Sequence, residues 1–252
     1  MISIKNISVV IIAKNAEATI KQTLESLINF EEVILYLNDT NDNTVTISQE
    51  FKNVKIVEGS FLGFGPTKNE ATKYAKNDWI LSLDSDEVLS KDFLLNLSKL
   101  SLDKNCVYKI LRSNYYKDCE VKHCWGKDEI VRVYNKKLTS FNQNKVHEFV
   151  LEKEYKVLLL DGEVKHYPYS NITDFIIKLD RYSTLFAQDK KGKKKSSPTK
   201  AFFNAGFSFF KTYFIKRGFL DGYAGLVIAF SHMATNFYKY IKLYEANKEL
   251  EK

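Results

Sequence analysis

Four short apolar runs alternate with helical patterns in the first third of this chain, and this alternation limits the possible fold more than any other feature. The runs cover residues 8–12, 33–37, 54–57 and 79–83. They are mostly apolar, with Ser8, Lys55 and Ser82 as the exceptions, which is typical of parallel strands buried on both faces. Between them, segments such as residues 17–30 carry apolar side chains at helical spacing. The pattern predicts an α/β fold with a Rossmann-type, mainly parallel sheet flanked by helices.

The fourth run ends in an acidic turn, Asp84-Ser85-Asp86-Glu87. Ligands of open α/β sheets bind at the carboxyl ends of the strands, which is where this turn is expected. Carboxylates spaced i and i+2 repel each other unless a cation or hydrogen-bond donors offset their charge. A divalent metal carrying a nucleotide diphosphate would supply that cation. An ordinary surface turn would tolerate the same residues, so both interpretations stay open on the turn alone.

The positive charge of the chain is concentrated in its last quarter. Residues 189–252 contain thirteen Lys or Arg and five Asp or Glu, a net charge of +8 against +7 for the whole chain. We therefore predict a domain over residues 1–188, with an acceptor-side segment from about residue 88, and a basic linker with a helical extension over residues 189–252. Such an extension suits an anionic surface, namely a membrane leaflet, a phosphorylated glycan or nucleic acid. Nucleic acid is disfavoured because no nucleic-acid-binding motif accompanies the basic tail.

The aromatic and basic extension contains an uncharged stretch, residues 222–238. A spanning helix needs about 20 apolar residues, and this stretch is shorter and includes His232 and Asn236. We expect instead a pair of interfacial helices with aromatic rings at headgroup depth. The basic residues expected to face anionic lipid are Lys211, Lys216, Arg217, Lys239 and Lys242. The alternative is that these helices pack on the sheet domain and that the lysines are only solvated.

Cysteine usage and the start of the chain favour a cytoplasmic location. Cys106, Cys119 and Cys124 are odd in number and form no CxxC pair, which is typical of reduced thiols. The first residues lack the basic region and long apolar stretch of a signal peptide. Together with the basic extension, these features predict a protein peripheral to the cytoplasmic membrane.

The order of these features resembles the family 2 glycosyltransferases of the GT-A fold, which use nucleotide sugars, usually with a metal at a DxD turn. Residues 63–71 and 78–87 narrow the resemblance to the lipopolysaccharide core β-1,4-glucosyltransferases of the WaaE/KdtX type. Later segments agree over nearly the whole chain: Trp125 with Asp128 and Arg132, and residues 146–148, 216–225 and 237–243. The resemblance implies inverting transfer of a hexose, glucose in that family, from a UDP-sugar to a heptose of the lipid-linked inner core.

Three alternatives to this function stay open. The same chemistry would serve a capsular or protein-linked glycan as acceptor. Nucleotidyl transfer also uses metal-bound aspartates on a related sheet. A non-catalytic adaptor at the membrane surface would need no sugar donor, although the acidic turn argues against it.

The resemblance also implies roles at the metal and donor end of the site. Asp86 becomes a ligand of Mg²⁺ or Mn²⁺, and Asp84 a contact of the ribose or of a metal-bound water. His147 would complete the metal shell or contact the diphosphate, with a hydrogen-bonded core histidine as the alternative. His166 and His123 are weaker candidates for this role.

Further donor contacts are expected from the ends of the first two strands and from the helix after the Gly-containing loop. Lys68 and Asn69 open that helix and would meet the diphosphate or uridine, unless Lys68 is an ordinary solvated lysine. The remaining candidates are Ala13, Asn15, Glu17 and Asn38.

Two positions depart from the family pattern. Leu37 stands where the family commonly has an aspartate that reads the uracil, with Asn38 or Asp39 as possible substitutes. The usual Asn-Glu pair appears as Asn15-Ala16-Glu17. Glu17 either takes the acidic role or stabilises a helix start.

The general base is expected to be a carboxylate of the acceptor half. Asp128 is the first choice, because it lies in the stretch that matches the Trp-x-x-Asp segment of the family, and Glu129 and Glu148 follow. Glu148 would otherwise orient the acceptor, and Asp128 would otherwise form a salt bridge with Arg132. Trp125 either stacks on a sugar face or belongs to the core.

Overall fold

The structure is a computed structural model that describes residues 4–250. Residues 1–3, which begin the first predicted domain and enter the signal-peptide prediction, lie outside this range. So do residues 251–252, the end of the predicted extension. The described chain divides into two units. The first unit holds the residues up to Ser113 together with Lys127–Tyr167, and the second holds Asn114–Gly126 and the residues from Pro168 onward.

Residues 4–250 contain nine strands and seven α-helices, besides short 3₁₀ and π turns. The strands are β1 (Ile7–Ala13), β2 (Val33–Leu37), β3 (Val54–Glu58), β4 (Trp79–Asp84), β5 (Glu87–Leu89), β6 (Cys106–Tyr116), β7 (Cys119–Glu120), β8 (Lys127–Asn135) and β9 (Lys156–His166). The helices are α1 (Ile20–Glu25), α2 (Thr44–Ser48), α3 (Phe64–Thr72), α4 (Lys91–Lys99), α5 (Ile172–Lys190), α6 (Pro198–Phe210) and α7 (Gly222–Lys248).

The first unit is built on a sheet of strand order β3-β2-β1-β4-β8-β6-β9-β5. The first four strands of this order run parallel, and β8 then pairs antiparallel with both β4 and β6. Ala13 lies beside Leu37 and Ile12 beside Asp84 in the registers of the parallel strands. The carboxyl ends of β2, β1 and β4 therefore meet at one edge of the sheet, as the sequence predicts.

Strands β1, β2 and β4 are buried on both faces, which explains their mostly apolar sequences, whereas the edge strand β3 is only partly buried. Successive residues of β1 enter different cores: Val9 and Ile11 pack into one, and Val10 and Ile12 into the other. Strands β2 and β4 divide their side chains in the same way. Helical layers on the two sides of the sheet cover these cores.

Several predicted elements differ in length from the structure. The sequence predicts helices over residues 17–30 and 67–76. In the structure, α1 covers only Ile20–Glu25, and α3 begins earlier, at Phe64, before Pro66. Proline fits there because the first turn of a helix leaves its N–H groups without helical partners. The sequence also predicts strands over residues 107–116, 119–123 and 130–134, which correspond to β6, β7 and β8, whereas β5 and β9 have no predicted counterpart.

The second unit consists of helices α5, α6 and α7 with a small hairpin. Within it, Tyr115 and Tyr116 at the end of β6 pair antiparallel with β7. The predicted boundary at residue 188 falls inside α5, which runs to Lys190. Helix α5 belongs to this unit because it packs along α7, for example through Phe186 and Tyr240. No helix within residues 4–250 is long and apolar enough to cross a membrane.

Two of the lysines predicted to face lipid contact α5 instead. Lys242 Nζ lies 2.6 Å from Asp180 Oδ1 and 2.7 Å from Thr184 Oγ1. Lys239 Nζ lies 4.5 Å from the ring centroid of Phe186. Lys239 and Lys242 both lie in the second half of α7, on the side that faces α5. All three cysteines are free thiols, and only Cys119 is exposed.

Candidate active site

The acidic turn that ends β4 is held by a buried carboxylate, Glu87. Its side chain is 0% exposed, and its Oε2 accepts the backbone N–H of Asp84 at 3.0 Å. Its Oε1 accepts a hydrogen bond from Arg112 Nη1 at 3.1 Å and lies 3.9 Å from Arg132 Nη2. A buried charge needs such partners, because an unpaired one would lose its solvation without compensation. Glu87 thus fixes the turn on which Asp84 and Asp86 lie.

Lys68 reaches the same turn from helix α3. Its Nζ lies 2.8 Å from Asp84 Oδ1 and 3.0 Å from Glu148 Oε1, and only 1% of its side chain is exposed. The alternative of a solvated helix lysine is therefore wrong. Lys68 is oriented by two carboxylates that come from positions far apart in the sequence.

Arg132 of β8 completes the surroundings of Asp84. Its Nη2 donates to Asp84 Oδ2 at 2.9 Å, so each oxygen of this carboxylate accepts a charged hydrogen bond. Burial would raise the pKa of Asp84, but Lys68, Arg132 and Arg112 hold it well below its usual range. Burial likewise disfavours the charged form of Arg132, and Asp84 and Glu87 offset this and raise its pKa.

Asp128 forms its ion pair with Arg112 of β6, whose Nη2 lies 3.1 Å from Asp128 Oδ2. The structure gives Arg132 another partner, Asp84, because residues 128 and 132 lie on a strand. Four residues of a strand separate Cα atoms by roughly 13 Å, whereas the salt bridge considered from the sequence needs helical spacing. The Asp128 side chain is 44% exposed, so its carboxylate is open to solvent as well as paired.

A cleft of about 380 Å³ lies against this charged cluster. Asp84, Arg112, Arg132 and Glu148 line it, together with side chains from β8 and from the segment after Phe141. The Nε atoms of both arginines are buried and have no hydrogen-bond partner among the described residues. Lys109, Glu129 and Glu152 complete the charged lining, so the cleft presents both cations and carboxylates and suits a polar ligand.

Asp86 lies apart from the cluster around Asp84 and next to His166. The register of β5 and β9 places Glu87 opposite His166, and His166 Nε2 is 3.6 Å from Asp86 Oδ2. Within residues 4–250, no three His, Cys, Asp or Glu side chains are grouped as a complete metal site. A carboxylate oxygen and an imidazole nitrogen at this separation are two donors that one divalent ion can share.

His147 is exposed and has a left-handed backbone, with φ of 58°. The alternative of a hydrogen-bonded core histidine is therefore wrong. Its proposed role at the metal stays a prediction, and it is His166 that the structure brings next to an aspartate of the turn.

The loops after β1 and β2 are tied to each other through the remaining donor candidates. Asn15 Oδ1 accepts the backbone N–H of Asn41, and Glu17 Oε2 accepts both N–H groups of Asn43. Asn43 is the N-cap of α2, so Glu17 stabilises the start of that helix rather than of its own. Ala13 and Asn38, both buried, are joined by a backbone hydrogen bond of 3.2 Å.

The side-chain amide of Asn69 forms hydrogen bonds with the protein backbone. Its side-chain amide donates to the carbonyl of Phe141 at 2.8 Å and accepts the N–H of the same residue at 2.9 Å. This pairing fixes the start of the segment that carries Glu148. Asn69 therefore positions that segment, and a direct contact with uridine would require it to exchange partners.

Two glycines let this segment approach α3 closely. A Cβ atom on Gly63 would lie 2.7 Å from Cα of Lys145, and one on Gly65 would lie 2.2 Å from the carbonyl oxygen of Asn142. Gly63 also has φ of +106°, which L side chains rarely adopt. The backbone contact brings Glu148 within reach of Lys68.

Trp125 and His123 belong to the second unit. Trp125 stacks on Tyr169 with ring centroids 5.5 Å apart and is partly buried against an aromatic cluster, which favours the core interpretation. His123 Nδ1 lies 2.7 Å from Asp221 Oδ1, and Asp221 also accepts the backbone N–H of Cys124 at 2.8 Å. These contacts hold the start of α7 against the hairpin loop.

Comparison with known proteins places this chain in a family of sugar transferases. Residues 8–151 match the family model described as Glycosyl transferase family 2. An uncharacterized glycosyltransferase of Rickettsia typhi is 31% identical over 257 residues, covering 96% of this chain and 87% of the relative. Its counterpart in Rickettsia bellii is 32% identical with the same coverage. The crystal structure of S. aureus TarS 1-349 in complex with UDP-GlcNAc superposes with a TM-score of 0.49 at 14% identity, covering 90% of each chain.

Proposed function

Because the chain belongs to glycosyl transferase family 2, we propose that it is an inverting, metal-dependent hexosyltransferase with a UDP-sugar donor. The predicted GT-A-type α/β fold and the prediction that the chain is a transferase are confirmed by the same match. The donor sugar proposed is glucose, and the acceptor a heptose of the lipopolysaccharide or lipooligosaccharide inner core. Both follow from the resemblance in the motifs.

The observation that carries the proposal is the charged cluster around Asp84. Sugar transfer from a nucleoside diphosphate creates negative charge on the leaving group, and fixed cations at that position stabilise it. Lys68, Arg112 and Arg132 converge there from three different elements, held by Asp84, Glu87 and Glu148. The cleft beside them is polar and accessible.

The residues next to the cluster fit a divalent ion. Asp86 and His166 would supply one oxygen and one nitrogen ligand, and diphosphate oxygens would supply further ones, as is usual for Mg²⁺ or Mn²⁺. The ion, when bound, neutralises charge on the leaving diphosphate. Asp84 fits a direct ligand role less well, since both its oxygens already accept hydrogen bonds from cationic side chains. We therefore propose Asp84 as an orienting group and ribose contact.

Asp128 is proposed as the general base, with Glu148 as the second candidate. In inverting transfer, the acceptor hydroxyl attacks the anomeric carbon from the face opposite UDP while its proton passes to a carboxylate. Asp128 is the more exposed of the two, at 44% against 16%, and Arg112 keeps it oriented. Glu148 accepts from Lys68, which suits a positioning role. An α-linked donor then gives a β-linked product.

We further propose that the enzyme acts at the inner face of the cytoplasmic membrane, where a lipid-linked core acceptor would be presented. The basic extension supports this location by its charge. The same chemistry on a capsular or protein-linked glycan is the alternative, and nucleic acid is not a proposed partner.

The donor can be identified by measuring protection against thermal unfolding. A panel of UDP-sugars is tested with and without Mn²⁺, because a ligand that binds the native state raises the unfolding temperature. We expect the largest rise with UDP-glucose and Mn²⁺ together. Protection by none of the UDP-sugars would contradict the proposal and favour a non-catalytic adaptor.

Product analysis then separates the acceptors. The enzyme is incubated with UDP-glucose and core-truncated lipid, and the released nucleotide and the extended lipid are identified. We expect UDP and a β-linked hexose on heptose. Release of pyrophosphate would instead identify nucleotidyl transfer, and transfer to another glycan alone would correct the acceptor.

A further inference from the structure

Helix α6 has an inverted arrangement of large and small side chains. Its inner side carries small residues at helical spacing: Ala201, Ala205, Ser208 and Thr212. Its outer side carries phenylalanines at the same spacing: Phe203, Phe207, Phe210 and Phe214, the last lying in the π turn Lys211–Ile215. Phe203 and Phe207 are 68% and 61% exposed, whereas Ala201 and Ala205 are buried. A helix of a water-soluble protein normally has the opposite arrangement.

The inner side of α6 meets α7 through polar contacts. Asn236 Nδ2 donates to Ser208 Oγ at 2.9 Å, and Thr212 Oγ1 lies 3.1 Å from His232 Nδ1. Small residues and interhelical hydrogen bonds inside, with large apolar residues outside, are typical of helices whose outer surface meets lipid.

The start of α7 and the turn before it extend the exposed apolar surface. Four further exposed side chains follow the same spacing: Phe219, Tyr223, Leu226 and Phe230. Two half-buried rings connect the rows. The ring centroid of Phe209 lies 6.4 Å from that of Phe214 and 5.0 Å from that of Phe230. The centroid of Tyr213 lies 5.2 Å from that of Phe214 and 6.2 Å from that of Phe219. We call these eight exposed residues on α6 and α7 the aromatic face. Proteins that stay in water rarely leave so many large apolar side chains together on the surface.

The charge around the aromatic face is positive. Residues 198–238 contain four basic residues, Lys200, Lys211, Lys216 and Arg217, and one acidic residue, Asp221. Asp221 is buried and accepts the backbone N–H groups of Lys122 and Cys124, so it contributes little to the outer surface. Exposed cations beside apolar rings match a surface that is anionic outside and apolar beneath.

We propose that the aromatic face enters the interfacial layer of an anionic bilayer, with α6 and the first half of α7 lying along the membrane. The aromatic rings then lie roughly 5–10 Å deep, at the boundary of headgroups and acyl chains. This inference rests on the proposed membrane location and not on the transfer reaction. A bilayer is favoured over a second copy of the chain because the positive charges around two such faces would repel each other.

The proposal is tested with the full chain and vesicles in a sedimentation assay. Vesicles of phosphatidylcholine alone are compared with vesicles of equal parts phosphatidylcholine and phosphatidylglycerol. The variant Phe203→Ser/Phe207→Ser changes two exposed rings and leaves the packed side of α6 unchanged. The matched control is Ile28→Ser/Leu95→Ser, which removes two exposed apolar residues of the first unit.

We expect the wild type and the control to bind the anionic vesicles, and the Phe variant to bind at least about tenfold more weakly. Equal binding by the Phe variant would overturn the proposal. So would a wild type that binds neither vesicle but forms a dimer that the Phe variant abolishes, which would assign the face to a second copy. Hydrolysis of the UDP-sugar, measured on the same samples without lipid, reports on the proposed reaction separately.

Discussion

Lys68 and Asp84 form an ion pair in the interior of the first unit, with the lysine Nζ 2.8 Å from Asp84 Oδ1. The same Nζ lies 3.0 Å from Glu148, a residue 80 positions further along the chain. One lysine thus joins helix α3, the end of strand β4 and the segment after Phe141. Its removal would leave two carboxylates with less compensation than their burial requires.

Replacement of Lys68 by Met should therefore destabilise the protein by roughly 1–3 kcal/mol. The loss is smaller than for a fully buried pair, because Asp84 lines the cleft and keeps its hydrogen bond from Arg132. Urea unfolding followed by circular dichroism measures the change. The matched control is Lys73→Met on the same helix, whose ammonium is exposed and pairs only with Glu70, and it should unfold like the wild type. Equal stability of the two variants would mean that the ion pair is not maintained in solution.

The base assignment predicts different kinetic behaviour for the two acceptor-side carboxylates. Asp128→Asn should lower kcat for transfer by about 10²–10⁴, because the acceptor hydroxyl loses its proton acceptor. Donor binding, measured as thermal protection by the UDP-sugar, should stay unchanged. Glu129→Gln tests the remaining candidate base, which also lines the cleft, and should keep most of the wild-type kcat. If Glu148→Gln lowers kcat to this extent and Asp128→Asn does not, the roles are exchanged.

The metal assignment distinguishes the two histidines. We expect Asp86→Ala and His166→Ala to lose the Mn²⁺-dependent part of the stabilisation by UDP, since each removes one of the two donors that lie 3.6 Å apart. His147→Ala is the matched control and should keep this stabilisation, because its ring is exposed in the loop before Glu148. Loss of the Mn²⁺ effect in His147→Ala alone would restore the role predicted from the sequence.

The partly buried His232, on α7 and packed against Thr212, should make stability depend on pH. Burial lowers its pKa below the ordinary value of 6.5, and the nearby charge of Lys216 lowers it further. The unfolded chain therefore binds more protons below pH 6.5, so the free energy of unfolding should fall as the pH drops through that value. Urea unfolding without lipid on either side of pH 6.5, compared between wild type and His232→Gln, measures this. The variant should show the weaker dependence, and equal slopes would exclude His232 as the cause.

The parallel strands could be predicted, although not their order, because burial on both faces leaves a signal in the local sequence. Strands β1, β2 and β4 are buried along their whole length, so their sequences are mostly apolar and easily recognised. The acidic turn after β4 was located correctly for the same reason. Its arginine partners could not be predicted, since Arg112 and Arg132 come from strands that pair at long sequence separation.

Arg112 and Glu87 show what the sequence did not reveal. Arg112 looks like an ordinary polar residue in a mixed strand, and Glu87 like one more acid in a turn. Only the pairing of β6 with β8, and of β5 with β9, makes Glu87 a buried partner of Arg112 and places His166 beside the turn. Strand β6 carries two basic residues, Lys109 and Arg112, so its sequence did not single out Arg112.

The contact of Gly63 and Gly65 with residues 142–145 limits how this chain can be recombined with its relatives. The two backbones meet where no side chain would fit. A Cβ atom would lie 2.7 Å from its nearest neighbour on Gly63 and 2.2 Å on Gly65. A chimera with its crossover between helix α3 and this segment would take the two contacting backbones from different parents, so they would not be expected to fit together. Functional hybrids should therefore inherit both segments from one parent, whichever acceptor the rest of the hybrid is chosen to recognise.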